Sequence, residues 1–336
     1  MIAEPGPTPI VGVVGCGVTG SRVMALLTQQ HVRVAAFDAV RSVAVACARP
    51  VGAVVVDDVD DLTVCDAVVL CHPAPHLDLV ALLFERGTPV VSVGDDLGDL
   101  SRLIGLHDQA ARSGVPVVIG AGMAPGLSGL LARYLANQLD QLDELHVAIH
   151  GTAGPACARQ HHDALGDTAL GWHDGGWTEP PGGSGRDLVW FPEPVGAHDC
   201  YRAALGDPLL LQRSFPSVGR VSARVSATRR DRLTARLPML TPPHASGGLG
   251  SVRVEARGAG PGGERITLIT GAAGTTAELT AFASVATTLQ LLRVGAAGGV
   301  HSLGDVALEP LDLLHQATSL GLKLQEFTGV GRATSW

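Results

Sequence analysis

Residues 10–20 read IVGVVGCGVTG, an apolar, β-prone run that enters Gly15-Cys16-Gly17-Val18-Thr19-Gly20 and then a helix-like stretch. A G-x-G-x-x-G between a strand and a helix is suited to hold a pyrophosphate. Gly15 makes the tight turn, Gly17 lets backbone approach the phosphates, and Gly20 lets helix pack on strand. Free N–H groups and the helix dipole then hold the negative charge. An ordinary glycine-rich turn has the same composition, so a second marker matters. Asp38 supplies it, at the end of the apolar run 33–37. It stands close to the ~20-residue offset at which an acidic side chain accepts hydrogen bonds from the adenosine ribose. A carboxylate there favours NAD(H). Arg41 leaves NADP(H) open, since it could fold over a 2′-phosphate; otherwise it is a solvated side chain at a helix start.

In a doubly wound sheet the ligand lies outside the carboxyl ends of the strands. Past the fourth expected strand come Cys71, His72 and Pro73, placed beside the cofactor. His72 is a candidate proton donor, because histidine titrates near neutral pH. The alternative is a loop histidine bonded only to backbone. Pro73 and Pro75 keep His72 and His76 off a common helical face, so this pair announces no metal site. His76 is expected to cap a helix or face solvent. Past the fifth strand come Gly94, Asp95 and Asp96. One acid is expected to cap the next helix and the other to act, Asp95 moving a proton or Asp96 holding a substrate ammonium. Past the sixth, Gly122 and Met123 in GAGMAPG are expected to line the nicotinamide pocket.

Further on, GPACARQHHD starts a helix. Arg159 is suited to a bidentate grip on a substrate carboxylate, although a surface ion pair with Asp163 is the commoner fate. His161 is a candidate substrate ligand and His162 a further candidate for proton transfer. The two point in different directions on a helix, so no metal is expected. Trp172, Trp177, Trp190 and Tyr201 either line a cleft or pack in the core.

The elements that must position these residues alternate. Strands are expected at 33–37, 53–56, 67–71, 89–93 and 115–119, with helical stretches at 77–86, 97–113 and 127–139. Pro125 is expected in the first turn of the last of these. Short connections between such elements predict a parallel, doubly wound Rossmann sheet. Near Gly151 the chain becomes rich in Gly, Pro and Trp, with strand-like pieces at 144–149, 188–191, 219–227 and 251–257. That pattern predicts a second, α+β domain with a mostly antiparallel sheet. Apolar helices are expected at 277–294 and 310–320. The domains are read as 1–143 for the nucleotide, 144–294 for substrate and oligomerisation, and 295–336 as helices returning to the first.

Composition narrows the class. The chain has 336 residues, a formal net charge of −8 and 46% hydrophobic residues, enough for two domains. The negative charge argues against nucleic acid. The arginines of 224–236 have no interleaved aromatics and read as a solvated strand or loop. No apolar run reaches the ~18 residues of a membrane span. The opening MIAEPGPTP lacks the pattern of a secretory signal, and the six cysteines show no C-x-x-C, which together point to a reducing cytoplasm. Lys323 is the single lysine, so Schiff-base chemistry would have to pass through it.

Several segments together carry a resemblance: the opening glycines, VVSVGDD (90–96), GLHDQAARSGVPVV (105–118) and GAGMAPGLSGLLARYLA (120–136). The chain resembles the saccharopine dehydrogenase-like oxidoreductases, including the branch that joins an amino acid to an aldehyde through an imine. The likeness covers the Rossmann half and the late Gly299-Val300-His301-Ser302. Ala124 stands where the family often has Asp before Pro-Gly, and the substrate domain, including GTAGPACARQHHDAL (151–165) and WFPEPVGAHDCYRA (190–203), carries no saccharopine signature. The resemblance implies hydride transfer between NAD(P) and a C=N or C=O carbon of a small amino- or keto-acid, and an acidic residue near Asp95 facing the substrate; a homodimer is also expected. Two other readings stand beside it: a sensor that holds the dinucleotide without turnover, and an enzyme that uses NAD only transiently.

Overall fold

The computed structural model describes residues 8–239 and 242–327. The N-terminal residues 1–7 read for a signal lie outside these. Strands β1 (Ile10–Val14), β2 (Arg33–Phe37), β3 (Val54–Val55), β4 (Ala67–Leu70), β5 (Val90–Ser92) and β6 (Pro116–Val118) alternate with helices α1 (Val18–Gln29), α2 (Arg41–Ala48), α3 (Leu77–Glu85), α4 (Leu97–Ile104) and α5 (His107–Ser113). The strands pair in parallel in the order β3-β2-β1-β4-β5-β6. Every residue of β4 is buried, as befits a central strand covered on both faces. The order reverses between β1 and β4, which leaves a crevice between the loops that follow them.

Two expectations in this half are corrected. The helical stretch 97–113 is two helices, with residues 105 and 106 between them. Pro125 lies before α6 (Leu127–Ala136) rather than in its first turn, and Gly126 is the N-cap. The Pro125 carbonyl accepts the Gly122 N–H at 2.9 Å, which commits the proline to the preceding turn.

The second sheet contains β7 (Gln141–His150), β8 (Gly171–His173), β9 (Gly176–Thr178), β10 (Asp187–Phe191), β11 (Gly196–Tyr201), β12 (Arg220–Ser226), β13 (Leu249–Ala259) and β14 (Arg265–Thr275). Its central order is β10-β11-β12-β7-β13-β14. Among the described residues of this sheet, β7 and β12 alone pair in parallel. Helices α7 (Pro155–Gly166), α8 (Asp207–Ser214) and α9 (Arg229–Thr234) connect its strands. The arginine-rich run is thus partly helical rather than strand or loop, because Thr228 and Asp231 form a reciprocal capping box.

Helix α10 (Thr276–Val294) starts with another capping box, Thr275 with Glu278. It packs against α1, β4 and β5 on one side and β13 and β14 on the other. Burial on most of its surface requires its hydroxyls to bond internally. Ser284, Thr287 and Thr288 accordingly donate to carbonyls four residues back at 2.8–2.9 Å. The tail does not return as helices alone. Strand β15 (Gly299–His301) adds beside β6, α11 (Pro310–Ser319) packs on α6 and α10, and β16 (Leu324–Glu326) joins β14 in the other sheet. All six cysteines are free, and no described helix is long and apolar enough to cross a membrane.

Candidate active site

A cavity of about 880 Å³ occupies the crevice and continues to the start of α7. The glycine turn forms one wall. Gly15 has φ +89°, and a β carbon there would lie 2.5 Å from the His72 backbone nitrogen. Gly20 is buried so tightly that a β carbon would overlap the Gly15 carbonyl. Gly17 is different: it is the N-cap of α1, and a β carbon would meet nothing within 4 Å. No side chain caps α1, and Gly17, Val18 and Thr19 border the cavity, so the first-turn N–H groups are available to an anion.

Asp38 borders the same cavity. Its carboxylate accepts N–H bonds from Cys16 at 2.8 Å and Val40 at 2.9 Å, which fixes it against the glycine turn. Cys16 itself is buried behind the turn, and burial together with Asp38 pushes its thiol up to about 12. Arg41 does not border the cavity. It is exposed and paired with Asp57.

Cys71, His72 and Pro73 face the glycine turn across the crevice. The His72 Nδ1 lies 2.7 Å from the Pro73 carbonyl, so this nitrogen carries the proton and Nε2 is left as an acceptor. That Nε2 is buried with no protein partner, and burial lowers the ring's pKa. His76 stands at the N-cap of α3 as expected, but its side chain neither caps the helix nor faces solvent. It is fully buried, with Nδ1 2.7 Å from Ser92 Oγ and Nε2 2.9 Å from the His72 carbonyl. Burial and the neighbouring His72 bring its pKa down to about 4, so it is a neutral strut under the loop.

Gly94, Asp95, Gly122 and Met123 line the far end. The adjacent acids divide as one cap and one cavity group. Asp96 caps α4 through Asp99 N–H at 2.7 Å and does not border the cavity, which removes it as a substrate ligand. Asp95 faces α7, where Gln160 Nε2 donates to its Oδ1 at 2.7 Å and His161 Nε2 lies 3.2 Å from its Oδ2. Cys157 Sγ lies 3.9 Å from the same His161 nitrogen. Burial alone would lower the pKa of His161. The Cys157 charge and the bonds to Asp95 and Cys157 outweigh it and raise the value well above 6.5.

Of the three α7 residues expected at the site, His161 lines this cavity and the other two do not. His162 is turned away, bonded to the Leu237 carbonyl at 3.0 Å beside a separate cavity. Arg159 is exposed and borders neither cavity. The aromatic residues are not cleft walls: Trp172 packs edge-on to Trp177, Tyr201 is core, and Trp190 is exposed. Cys157 and Gln160, missed in the sequence, precede His161 by four residues and one. The helical spacing that pairs Cys157 with His161 was the available signal. From α10, Thr280 reaches the site and accepts the Met123 N–H at 3.2 Å.

No protein-family model matches the chain. Among solved structures, the apo saccharopine dehydrogenase (L-Glu forming) of Saccharomyces cerevisiae aligns with TM-score 0.68 and 14% identity, covering 95% of this chain and 100% of that one. A myo-inositol dehydrogenase from Corynebacterium glutamicum aligns at TM-score 0.47 and 14% identity, covering 96% and 100%. A meso-DAPDH mutant with DAP from Clostridium tetani aligns at 0.49 and 16%, covering 90% and 96%. Over nearly its whole length, this chain is similar in fold to the yeast saccharopine dehydrogenase.

Proposed function

We propose that the protein is an NAD(P)-dependent oxidoreductase that moves hydride to or from a C=N or C=O carbon of a small amino- or keto-acid. One observation carries this reading: the glycine turn and Asp38 share a single cavity with Asp95, Cys157, Gln160 and His161. A dinucleotide with its pyrophosphate on α1 and its ribose on Asp38 would extend its nicotinamide toward Gly122 and Met123. Its volume lies within the range of small-molecule sites. His72 Nε2 would accept a hydrogen bond from the cofactor, while Asp95 and His161 would hold the proton beside the substrate. NAD(H) is favoured because Asp38 repels a 2′-phosphate and Arg41 is engaged elsewhere. Residues 1–143 would bind the cofactor, and 144–294 would hold the substrate and a second copy of the chain. The free cysteines accord with a cytoplasmic setting.

The test is NADH and NADPH binding by fluorescence, followed by NADH oxidation across a panel of amino acids paired with aldehydes and keto-acids. Asp38→Ala should weaken NADH about tenfold and NADPH little, a difference of ~1.4 kcal/mol. Equal losses remove Asp38 from the ribose. Stoichiometric binding without turnover on any pair would instead make the protein a dinucleotide sensor.

A further inference from the structure

We propose that Asp95, Cys157 and His161 form a binding site for a divalent metal ion of the zinc class at the substrate end of the cavity. One oxygen, one sulfur and one nitrogen from these residues all lie within 4.8 Å of one another. His161 Nε2 is 3.2 Å from Asp95 Oδ2 and 3.9 Å from Cys157 Sγ. With ordinary zinc bond lengths, a tetrahedral ion sets N···O at about 3.3 Å and N···S at about 3.6 Å. The two distances to His161 are thus within a few tenths of an ångström of a coordinating arrangement, while the Asp95 oxygen and Cys157 sulfur, no more than 4.8 Å apart, would close toward about 3.6 Å by side-chain rotation.

The way the contacts converge is informative. A histidine that serves an acid and a thiol as a relay would offer one ring nitrogen to each. Here both acceptors approach the same Nε2, while Nδ1 is buried without a partner. Metal binding would displace the proton that Asp95 and His161 otherwise hold, and two anionic ligands with the neutral imidazole then match the charge of a divalent ion. Mixed sulfur, nitrogen and oxygen donors suit zinc or cobalt better than magnesium or calcium, which prefer oxygen alone.

Local structure supports each ligand. Cys157 and His161 are one turn apart on α7, so both project to the same side. Gln160 Nε2 holds Asp95 Oδ1 at 2.7 Å, which leaves Oδ2 directed at His161. That is the outer-sphere support a ligating carboxylate requires. Three protein ligands leave a fourth position toward the cavity, the pattern of a catalytic rather than a structural site. A substrate carbonyl oxygen or imine nitrogen placed there would be polarised for hydride transfer. Its position beside the substrate rests on the oxidoreductase reading, whereas the ligand set stands without it. Adjacent His161 and His162 point in different directions, so the sequence announces no metal here; the carboxylate comes from a distant loop.

The experiment is titration of chelator-treated full-length protein with cobalt(II), followed by absorption spectroscopy. One equivalent should produce a near-ultraviolet thiolate-to-cobalt charge-transfer band and visible bands of tetrahedral intensity, bleached by added zinc. Cys157→Ser should abolish the charge-transfer band, and Cys65→Ser should retain it. Asp95→Asn and His161→Gln should each weaken cobalt by at least the roughly 10- to 100-fold typical of outer-sphere changes. Bound zinc should also slow alkylation of Cys157 by iodoacetamide, read by peptide mass spectrometry. This second measurement needs no variant to fold. No band with wild-type protein, a band that survives Cys157→Ser, or alkylation indifferent to zinc overturns the proposal. NADH binding is scored separately in the same samples, so loss of the metal site and loss of the oxidoreductase reading give different results.

Discussion

On one wall of the cavity, Gly15, Gly17, Gly20 and Asp38 belong to a single β-α-β unit, and what they offer is mostly backbone. On the other, Asp95 meets Gln160 and His161 from 65 and 66 residues away, and what they offer is side chains. The first wall can accept a pyrophosphate because its N–H groups are uncapped, whatever side chains surround it. The second depends on two elements arriving at the same place with the correct faces turned inward. The comparison separates holding a cofactor from acting on a substrate, and the two walls should respond differently to mutation.

The largest effect is expected at the side-chain wall. His161→Ala should lower turnover by roughly 10²- to 10⁴-fold, the usual contribution of a positioned acid–base group. The NADH dissociation constant should remain within about twofold, as read by fluorescence titration. A matching loss of NADH affinity would merge the two walls. Gly17→Val is the reciprocal change. Its side chain enters open space, so the melting temperature should hold, while NADH affinity falls about 100-fold as ~3 kcal/mol of charge-assisted bonding is lost. Normal NADH binding would remove the pyrophosphate from α1.

A smaller effect is expected away from both walls, at a buried acid outside the cavity. Asp207 is fully buried at the start of α8, and Ser128 on α6 donates to its Oδ1 at 2.5 Å. Burial raises its pKa from 3.8 to about 7 despite that bond. The folded state therefore binds the proton more tightly than the unfolded state does. Its stabilising contribution is complete below the unfolded pKa, declines as pH rises, and is lost above about 7. Asp207→Asn should gain stability relative to wild type between pH 5 and 8, on the order of 1–3 kcal/mol by denaturant titration. Parallel pH profiles for the two proteins would reject this. The smallest effect belongs to Arg41→Ala. Its exposed pair with Asp57 should be worth less than ~0.5 kcal/mol, and both cofactors should bind as before. A selective loss of NADPH would return Arg41 to the 2′-phosphate.

The same division explains what was legible. Strands β1, β2 and β4 read clearly because buried parallel strands are continuous apolar runs. Strand β14 did not. RITLITGAAGT has little alternation, and its identity comes from pairing with β13 along its full length. The short β8–β9 hairpin and β11 were missed for a similar reason. On α7, the sequence marks the correct helix but does not single out its inward face. His162 and Arg159 were as plausible as His161 until packing turned one inward and left Arg159 exposed. Likewise, the sequence expected one of two adjacent acids to cap a helix, and only the direction of the chain at α4 distinguished Asp96 from Asp95.

By itself, the sequence determined the Rossmann half, its glycine turn and the acidic residue beside it, because these depend on backbone conformation and local periodicity. Tertiary structure alone decided that α10 lies between the sheets, that the tail supplies a strand to each, and that Asp95 meets Cys157 and His161. Those outcomes depend on which helix face is buried against which neighbour. A linear pattern marks an amphipathic element but not the partner that will cover it.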